Sequence, residues 1–451
     1  MNSHTGQPFD RGTYVIRGGH ILSMDATVGD FPVGDVIVDD GLIVDVGTNL
    51  EAPLGATVID ASNTIVSPGF VDVHWHMWNS ILKGMSHDAP GYFALHVLAE
   101  YMAPDDYYTA IRHAATEGLN AGITTCHNWA NTVGGEDDAQ AQAQALVDSG
   151  IRSRFGYAHR PTATSRPVSE RDLDRMQSWM NLNADGLMDL GLVSQNQPNF
   201  RREVEAARAR GLRTIGQHVN LTDDLDLLGP DMMITHGPGM PREFKALLAA
   251  KKTKLGLCPT TDPLIGAGLP PLLDFLEAGF AFENIGFSVD VSCQTGVDPF
   301  AAMRIMMNAA RIGQQNGASF ERIIFTPGDP TDPTNGLTMP RRVLEIATIN
   351  GARVLGIDDS VGSLTPGKRA DIILVRNDDL NMLPATGTNA TFQLVQLAQP
   401  SNVDTVLVDG RVVKQNGRMV GVDIRTIGEE AARVQGQVAH RAGHARISTA
   451  L

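Results

Sequence analysis

One run limits what this chain can become: Val66-Ser67-Pro68-Gly69-Phe70-Val71-Asp72-Val73-His74-Trp75-His76. Phe70 to Val73 is apolar apart from a single acid, as in a strand buried on both faces, and Pro68-Gly69 breaks the chain just before it. Residues i and i+2 of a strand point to the same side, so His74 and His76 can present two imidazoles to one point in space. That is half of a metal site. With 13 histidines in 451 residues an occasional His-x-His is expected by chance, so the weight falls on the setting and on partners elsewhere in the chain.

Composition removes several classes of function. Hydrophobic residues make up 42% and charged residues 19%, as in a globular protein, and 36 basic residues stand against 51 acidic ones for a net charge of −15. Without a dense Lys/Arg run, nucleic acid and anionic membrane surfaces are not expected partners. Cys126, Cys258 and Cys293 are odd in number and far apart, which argues against a disulfide framework or a CxxC zinc site and fits small buried side chains in a reducing compartment. Neither a signal-like N-terminus nor a run of ~18 apolar residues is evident, so a cytoplasmic location is the expectation.

From Thr13 to Ile65 short β-like runs alternate with turns, and Val38-Asp39-Asp40-Gly41-Leu42 carries the Asp-Gly signature of a tight hairpin. Beyond Pro68 the texture becomes strand, helix, strand. Ala103-Pro104-Asp105-Asp106 starts a helix running to Asn120, with Pro in the first turn and acids near the positive end. Strands are expected at Gly122–His127, Ile151–Tyr157, Gly186–Val193, Leu212–Val219, Met232–His236, Lys254–Cys258 and Ile285–Val291, with helices at Asp137–Ser149, Phe200–Arg210, Pro241–Ala250, Leu269–Ala278 and Pro299–Gly313. Repeating units of this kind imply an α/β fold with a parallel sheet closed into a (β/α)8 TIM barrel, whose strand C-terminal ends carry the chemistry. After Asp371 the β texture returns. The expected organisation is 1–67 as the N-terminal part of a small β-sandwich, 68–365 as the metal-binding barrel, and 366–451 as the C-terminal part of the sandwich and a tail.

Three further strand ends bear metal-competent side chains: His218 in Thr214-Ile215-Gly216-Gln217-His218, His236 in Met233-Ile234-Thr235-His236, and Asp290 in Gly286-Phe287-Ser288-Val289-Asp290. Imidazoles with a carboxylate suit Zn2+, with Fe2+, Mn2+ or Co2+ as alternatives that take the same donors.

These motifs, with Ala347-Thr348-Ile349-Asn350-Gly351-Ala352 and Gly362-Ser363-Leu364-Thr365-Pro366-Gly367-Lys368-Arg369-Ala370-Asp371-Ile372, resemble the amidohydrolase superfamily, within it the branch of cytosine deaminase and the triazine and chlorohydrolase enzymes. The likeness runs from about residue 13 to 420 and includes Leu257-Cys258-Pro259-Thr260-Thr261 in the seventh-strand segment. It implies one divalent metal per chain held by His74, His76, His218 and Asp290, with His236 oriented on the hydrolytic water. The strand before His218 ends in Gly191-Leu192-Val193-Ser194-Gln195, without the lysine that bridges two metals in binuclear members.

A metal so held would lower the pKa of water from ~16 toward ~7. Asp290 and His236 are then the catalytic residues, Asp290 accepting the proton and His236 holding the nucleophile. Deaminases of this branch usually place a Glu three residues after the fifth-strand histidine, and here that position is Leu221. The departure counts against aminopyrimidine and aminopurine substrates, unless Asp290 shuttles the proton alone or His127 or His159 substitutes. His127, Trp78, Trp129, Gln195 and Asn220 are candidate substrate contacts, and Met77–Met102 and Pro161–Trp179 candidate pocket loops.

The expected activity is metal-dependent hydrolysis of a C–N bond in a small cyclic amide, urea or amino-substituted molecule. C–Cl or C–S hydrolysis, a lyase or isomerase reaction, and a non-catalytic ligand-binding barrel are the alternatives. The helix Pro299–Gly313 offers a face that could support a dimer or larger homo-oligomer.

Overall fold

The structure is a computed structural model describing residues 10–86, 91–160, 166–194, 199–218, 224–314, 340–385 and 389–443. Five strands come first: β1 (Tyr14–Ile21), β2 (Phe31–Asp39), β3 (Leu42–Gly47), β4 (Thr57–Asp60) and β5 (Thr64–Pro68). The Asp-Gly turn joins β2 to β3, with Asp40 at φ 43° and Gly41 at φ 82° and Asp39 facing Leu42, the paired positive angles of a type I′ hairpin.

Eight strands then close a parallel barrel: β6 (Phe70–Trp75), β7 (Ile123–Val133), β8 (Arg152–His159), β9 (Met188–Val193), β10 (Ile215–Gln217), β11 (Met232–Thr235), β12 (Lys254–Leu257) and β13 (Ile285–Phe287), the last pairing with the first through Phe287 and Asp72. Helices Pro104–Asn120, Glu136–Ser149, Glu170–Asn183, Phe200–Ala209, Arg242–Ala250, Leu272–Glu277 and Pro299–Gln314 follow β6, β7, β8, β9, β11, β12 and β13 in turn. The fold is therefore the expected TIM barrel. Glu170–Asn183 is a helix where a loop was expected: Ser169 accepts from the Asp172 amide, and Leu173, Met176 and Met180 form its buried stripe.

Four late strands, β14 (Ile372–Arg376), β15 (Val403–Val408), β16 (Arg411–Gln415) and β17 (Arg418–Met419), return to the first sheet. β14 lies antiparallel to β5, so strands from both ends of the chain form one nine-stranded sheet. The chain then makes a helix, Ile424–Arg441, that packs beside Pro104–Asn120: Arg441 Nε donates to the Tyr101 carbonyl at 2.8 Å and Gln435 Nε2 to that of Ile81 at 2.6 Å. No helix among the described residues is long and apolar enough to cross a membrane.

A buried ionic cluster fastens the sheet to the barrel. Arg152, at the start of β8, grips both oxygens of Asp371 at 2.8 and 2.9 Å and reaches Asp409 at 3.3 Å. Both carboxylates are almost wholly buried. Asp409 keeps Arg11 at 2.7 Å and Arg411 at 2.6 Å, but removing Arg152 leaves the Asp371 carboxylate without its cation in the interior, so Arg152→Ala is expected to lose about 3 kcal/mol of stability by urea unfolding. A loss below about 1 kcal/mol, the range of an exposed pair, would mean that the cluster does not anchor the two parts.

Candidate active site

At the C-terminal ends of the barrel strands the chain leaves the sheet and delivers its polar side chains. His74 lies within β6 and His76 one residue beyond its end, while His218 and His236 each follow immediately after a strand, β10 and β11. Asp290 follows β13 by three residues. His236 and Asp290 have φ of 69° and 62°, a left-handed conformation that non-glycine residues seldom adopt. Backbone strain of this kind persists only where surrounding contacts over-determine it.

Those contacts are on view around Asp290. Its amide donates to the His74 carbonyl at 3.0 Å, and its own carbonyl accepts from the His76 amide at 2.8 Å. Below, the fully buried Asp72 accepts from the His74 amide at 2.9 Å and from the Val289 amide at 2.6 Å. One carboxylate thus ties the histidine strand to the aspartate strand.

The side chains converge. Asp290 Oδ1 lies 3.0 Å from His74 Nε2 and 3.6 Å from His76 Nε2, and His76 Nε2 is 3.3 Å from His218 Nε2. Donor atoms of His74, His76 and His218 all fall within 4.8 Å of one another, as do those of His74, His236, Cys258 and Asp290. The tautomer of His76 follows from its neighbour: Nδ1 sits 3.0 Å from Asn131 Oδ1, an acceptor, so Nδ1 carries the hydrogen and Nε2 presents its lone pair. Neither ring nitrogen of the fully buried His74 makes a hydrogen bond. An orphaned imidazole beside a carboxylate and two further imidazoles is a donor set that fits a divalent cation.

Burial, reinforced by neighbouring imidazoles, pushes the pKa of His74 and His218 well below the ordinary histidine value and that of His76 down to about 3. In the unfolded chain each would bind a proton below about 6.5. The unfolded state then holds more protons than the folded one, so stability rises with pH and is lost as pH falls below about 6.5, for His76 down to about 3. For chelator-treated protein we expect stability to fall steadily as pH is lowered below about 6.5, measured by urea unfolding. A flat profile between pH 6 and 4 would contradict the burial of neutral imidazoles.

His236 behaves differently. Burial pulls its pKa down, but Asp290 and then Asp262 outweigh it and the net shift is upward. Its Nδ1 is 2.7 Å from Asp262 Oδ1, and Cys258 Sγ lies 4.0 Å from its Nε2.

A cavity of about 400 Å3 opens above this cluster, floored by His76, His218, His236 and Asp290. Tyr92, Phe93 and His96, from the segment after β6, also line it, as do Pro238, Ile265 and Ala267. The segment Met77–Met102 therefore does shape the pocket, through residues the sequence did not single out.

Three of the expected substrate contacts, Trp129, His127 and Trp78, do not line this cavity. Trp129 is fully buried with its ring 3.9 Å from that of His74 and 4.7 Å from that of His218, so it packs behind the imidazoles. Room for it comes from Gly216, where a Cβ would stand 2.6 Å from the Trp129 ring. His127 is fully buried deeper in the barrel, its Nδ1 3.1 Å from the Val73 carbonyl and 3.2 Å from Trp129 Nε1. Trp78 is buried behind His96 at 5.5 Å between rings. None of the three is among the residues lining the cavity. His159 pairs with Asp172 at 3.4 Å, also away from it. Gln195, Asn220 and Leu221 lie outside the described residues.

Sequence reasoning missed Asp262, Tyr92, Phe93 and His96. His96 had a signal, a histidine inside a segment already marked as pocket-forming. Asp262 had little: it stands four residues past Cys258 with no spacing pattern to tie it to His236.

Comparison with known proteins fits this geometry. The profile of the amidohydrolase family matches residues 65–203 and 199–413. A 5-methylthioadenosine/S-adenosylhomocysteine deaminase of Symbiobacterium thermophilum is 30% identical over 442 residues, which cover 89% of this chain and 93% of that protein. A 5'-deoxyadenosine deaminase of Methanosarcina acetivorans is 24% identical over 462 residues, 95% of this chain and 99% of that one. Among solved structures, an adenosine deaminase from Xanthomonas campestris with bound zinc superposes with a TM-score of 0.79 at 18% identity, covering 96% of this chain and 100% of the other. Atrazine chlorohydrolase TrzN from Arthrobacter aurescens, complexed with zinc, gives 0.74 at 19% identity, covering 94% and 100%.

Proposed function

We propose how the site works from the premise that this chain belongs to the amidohydrolase family and is a metal-dependent hydrolase of C–N bonds. His74, His76, His218 and Asp290 hold one divalent cation, and the three imidazoles with one carboxylate favour zinc. The observation that carries this reading is that donor atoms of His74, His76 and His218 lie within 4.8 Å of one another, with Asp290 Oδ1 3.0 Å from His74 Nε2 and 3.6 Å from His76 Nε2, beside a cavity that His76, His218 and Asp290 line. When bound, the cation supplies Lewis acidity that brings water ionisation near neutral pH.

The chain's own residues supply the remainder. Asp290 takes the proton of the attacking water and passes it to the leaving nitrogen. His236 accepts a hydrogen bond from that water and keeps its oxygen directed at the carbon under attack. A C–O bond forms and the C–N bond breaks: from an amino-substituted ring the nitrogen leaves as ammonia with the transferred proton, giving hydroxyl product and ammonia, whereas in a cyclic amide or urea the ring opens and the nitrogen takes that proton as the amine end of the same product. A lining that includes the rings of Tyr92, Phe93 and His96 with the apolar Pro238, Ile265 and Ala267 suits a flat ring with its reacting edge toward Asp290. The substrate is thus a small cyclic amide, urea or amino-substituted heterocycle.

A second reading narrows this to adenosine-type amines, as the names of the relatives favour. Leu221 stands against it, because the branch's usual ring-protonating carboxylate has no counterpart there. The deciding experiment incubates the zinc-loaded protein in oxygen-18 water with 5'-methylthioadenosine, 5'-deoxyadenosine and a series of smaller amino-heterocycles, cyclic ureas and amides. Ammonia release from an amino-substituted substrate, or ring opening of a cyclic amide or urea, with one heavy oxygen in the product is expected. Turnover with no heavy oxygen incorporated would replace hydrolysis by lyase or isomerase chemistry.

A further inference from the structure

Asp262 is wholly buried, and its Oδ1 meets His236 Nδ1 at 2.7 Å while Oδ2 makes no hydrogen bond. A carboxylate in that position is costly unless a strong donor answers it, and the imidazole is the donor in contact. The residue's place is fixed by the backbone. Its amide donates to the Cys258 carbonyl at 3.0 Å, and its carbonyl accepts from the amides of Ala267 at 2.9 Å and Gly268 at 3.3 Å. His236, by contrast, has left the regular strand. Its φ of 69° and a single amide bond to the Gly256 carbonyl at 2.9 Å leave the ring direction to be set by a side-chain partner.

We infer that Asp262 is the positioning residue for His236, holding the ring hydrogen on Nδ1 so that the Nε2 lone pair faces the reacting water. The physical reason is one-sided: an ionised carboxylate accepts and never donates, so the nitrogen facing it must carry the hydrogen. In the neutral ring Nε2 is then left as an acceptor on the side of Asp290 and His74, whose ring centroid lies 5.5 Å from that of His236. Asp262 also closes the loop that carries Ile265 and Ala267, so one residue sets both the imidazole and a pocket wall. The inference rests on the reading of His236 as the group that orients water.

The test uses full-length zinc-loaded protein with nitrogen-15 labelled histidine, His236 being assigned by the signal lost in His236→Gln. The parent is expected to show hydrogen on Nδ1 of His236. In Asp262→Asn, nearly isosteric but able to present an N–H, the population shifts toward hydrogen on Nε2. With a substrate that releases ammonia, kcat falls about 10- to 100-fold while KM and zinc content stay near the parent's. Asp262→Ala loses the tautomer preference and falls in kcat comparably. A parent with hydrogen on Nε2 would overturn the inference, as would an Asn variant with unchanged tautomer and kcat within about twofold, or zinc lost in step with activity. If no substrate turns over, the proposed function fails alone, because the tautomer is read without one.

Discussion

Asp290→Ala is expected to lower kcat by about 10^4-fold or more and to weaken zinc binding in the same protein. The carboxylate sits 3.0 Å from His74 Nε2 and 3.6 Å from His76 Nε2, so in the proposed mechanism it both completes the donor set and carries the proton from water to leaving group. General acid–base transfer by one positioned group contributes typically 10^2 to 10^4, and loss of a ligand adds to it. Alanine at φ 62° also costs about 1 kcal/mol of backbone strain. Asp290→Asn separates the effects, since asparagine tolerates that conformation and keeps an oxygen but accepts no proton. Equilibrium dialysis against zinc and initial-rate kinetics read the two losses. An alanine variant retaining more than about a tenth of parental kcat would remove Asp290 from the proton path.

His236→Ala is expected to lose about 10^2- to 10^3-fold in kcat while keeping close to one zinc per chain. Its Nε2 faces the cluster but stands outside the proposed donor set, so three imidazoles and the Asp290 carboxylate remain after its removal. The magnitude is that of deleting one preorganised polar group at the reacting centre. If zinc content falls with activity, His236 is itself a ligand, and the grouping of His236 with His74, Cys258 and Asp290 would describe the cation's position better than the four residues proposed here.

The contrast between these two residues and Asp262 shows what the sequence could reveal. His74 and His76 were legible because a period of two fixes their side, and His218, His236 and Asp290 because each stands at the end of an expected strand. Helix Pro104–Asn120 was legible to the residue, having a proline at its start and acids in its first turn. Length along the barrel was less legible. β10 and β13 have three residues each, shorter than the expected runs Leu212–Val219 and Ile285–Val291, because the chain peels from the ladder to aim His218 and Asp290.

Depth explains the tryptophans and His127. Alternation says that His127 and Trp129 share a side of β7, but not how deep they sit, and Trp129 sits against the back of the imidazoles. The helix Ile424–Arg441 carried its own signal in Ile427, Ala431, Val434 and Val438, a buried stripe at helical spacing. Asp262 meets His236 only through the close approach of two strand-end turns, and no local pattern encodes that contact.

The most direct measurement is an anomalous-difference map at the zinc edge from crystals of the zinc-loaded enzyme. A single peak is predicted at ~2.0–2.2 Å from imidazole nitrogens of His74, His76 and His218 and from an Asp290 oxygen. A peak without His218 or Asp290 in contact, or no peak in the cavity at all, would contradict the account.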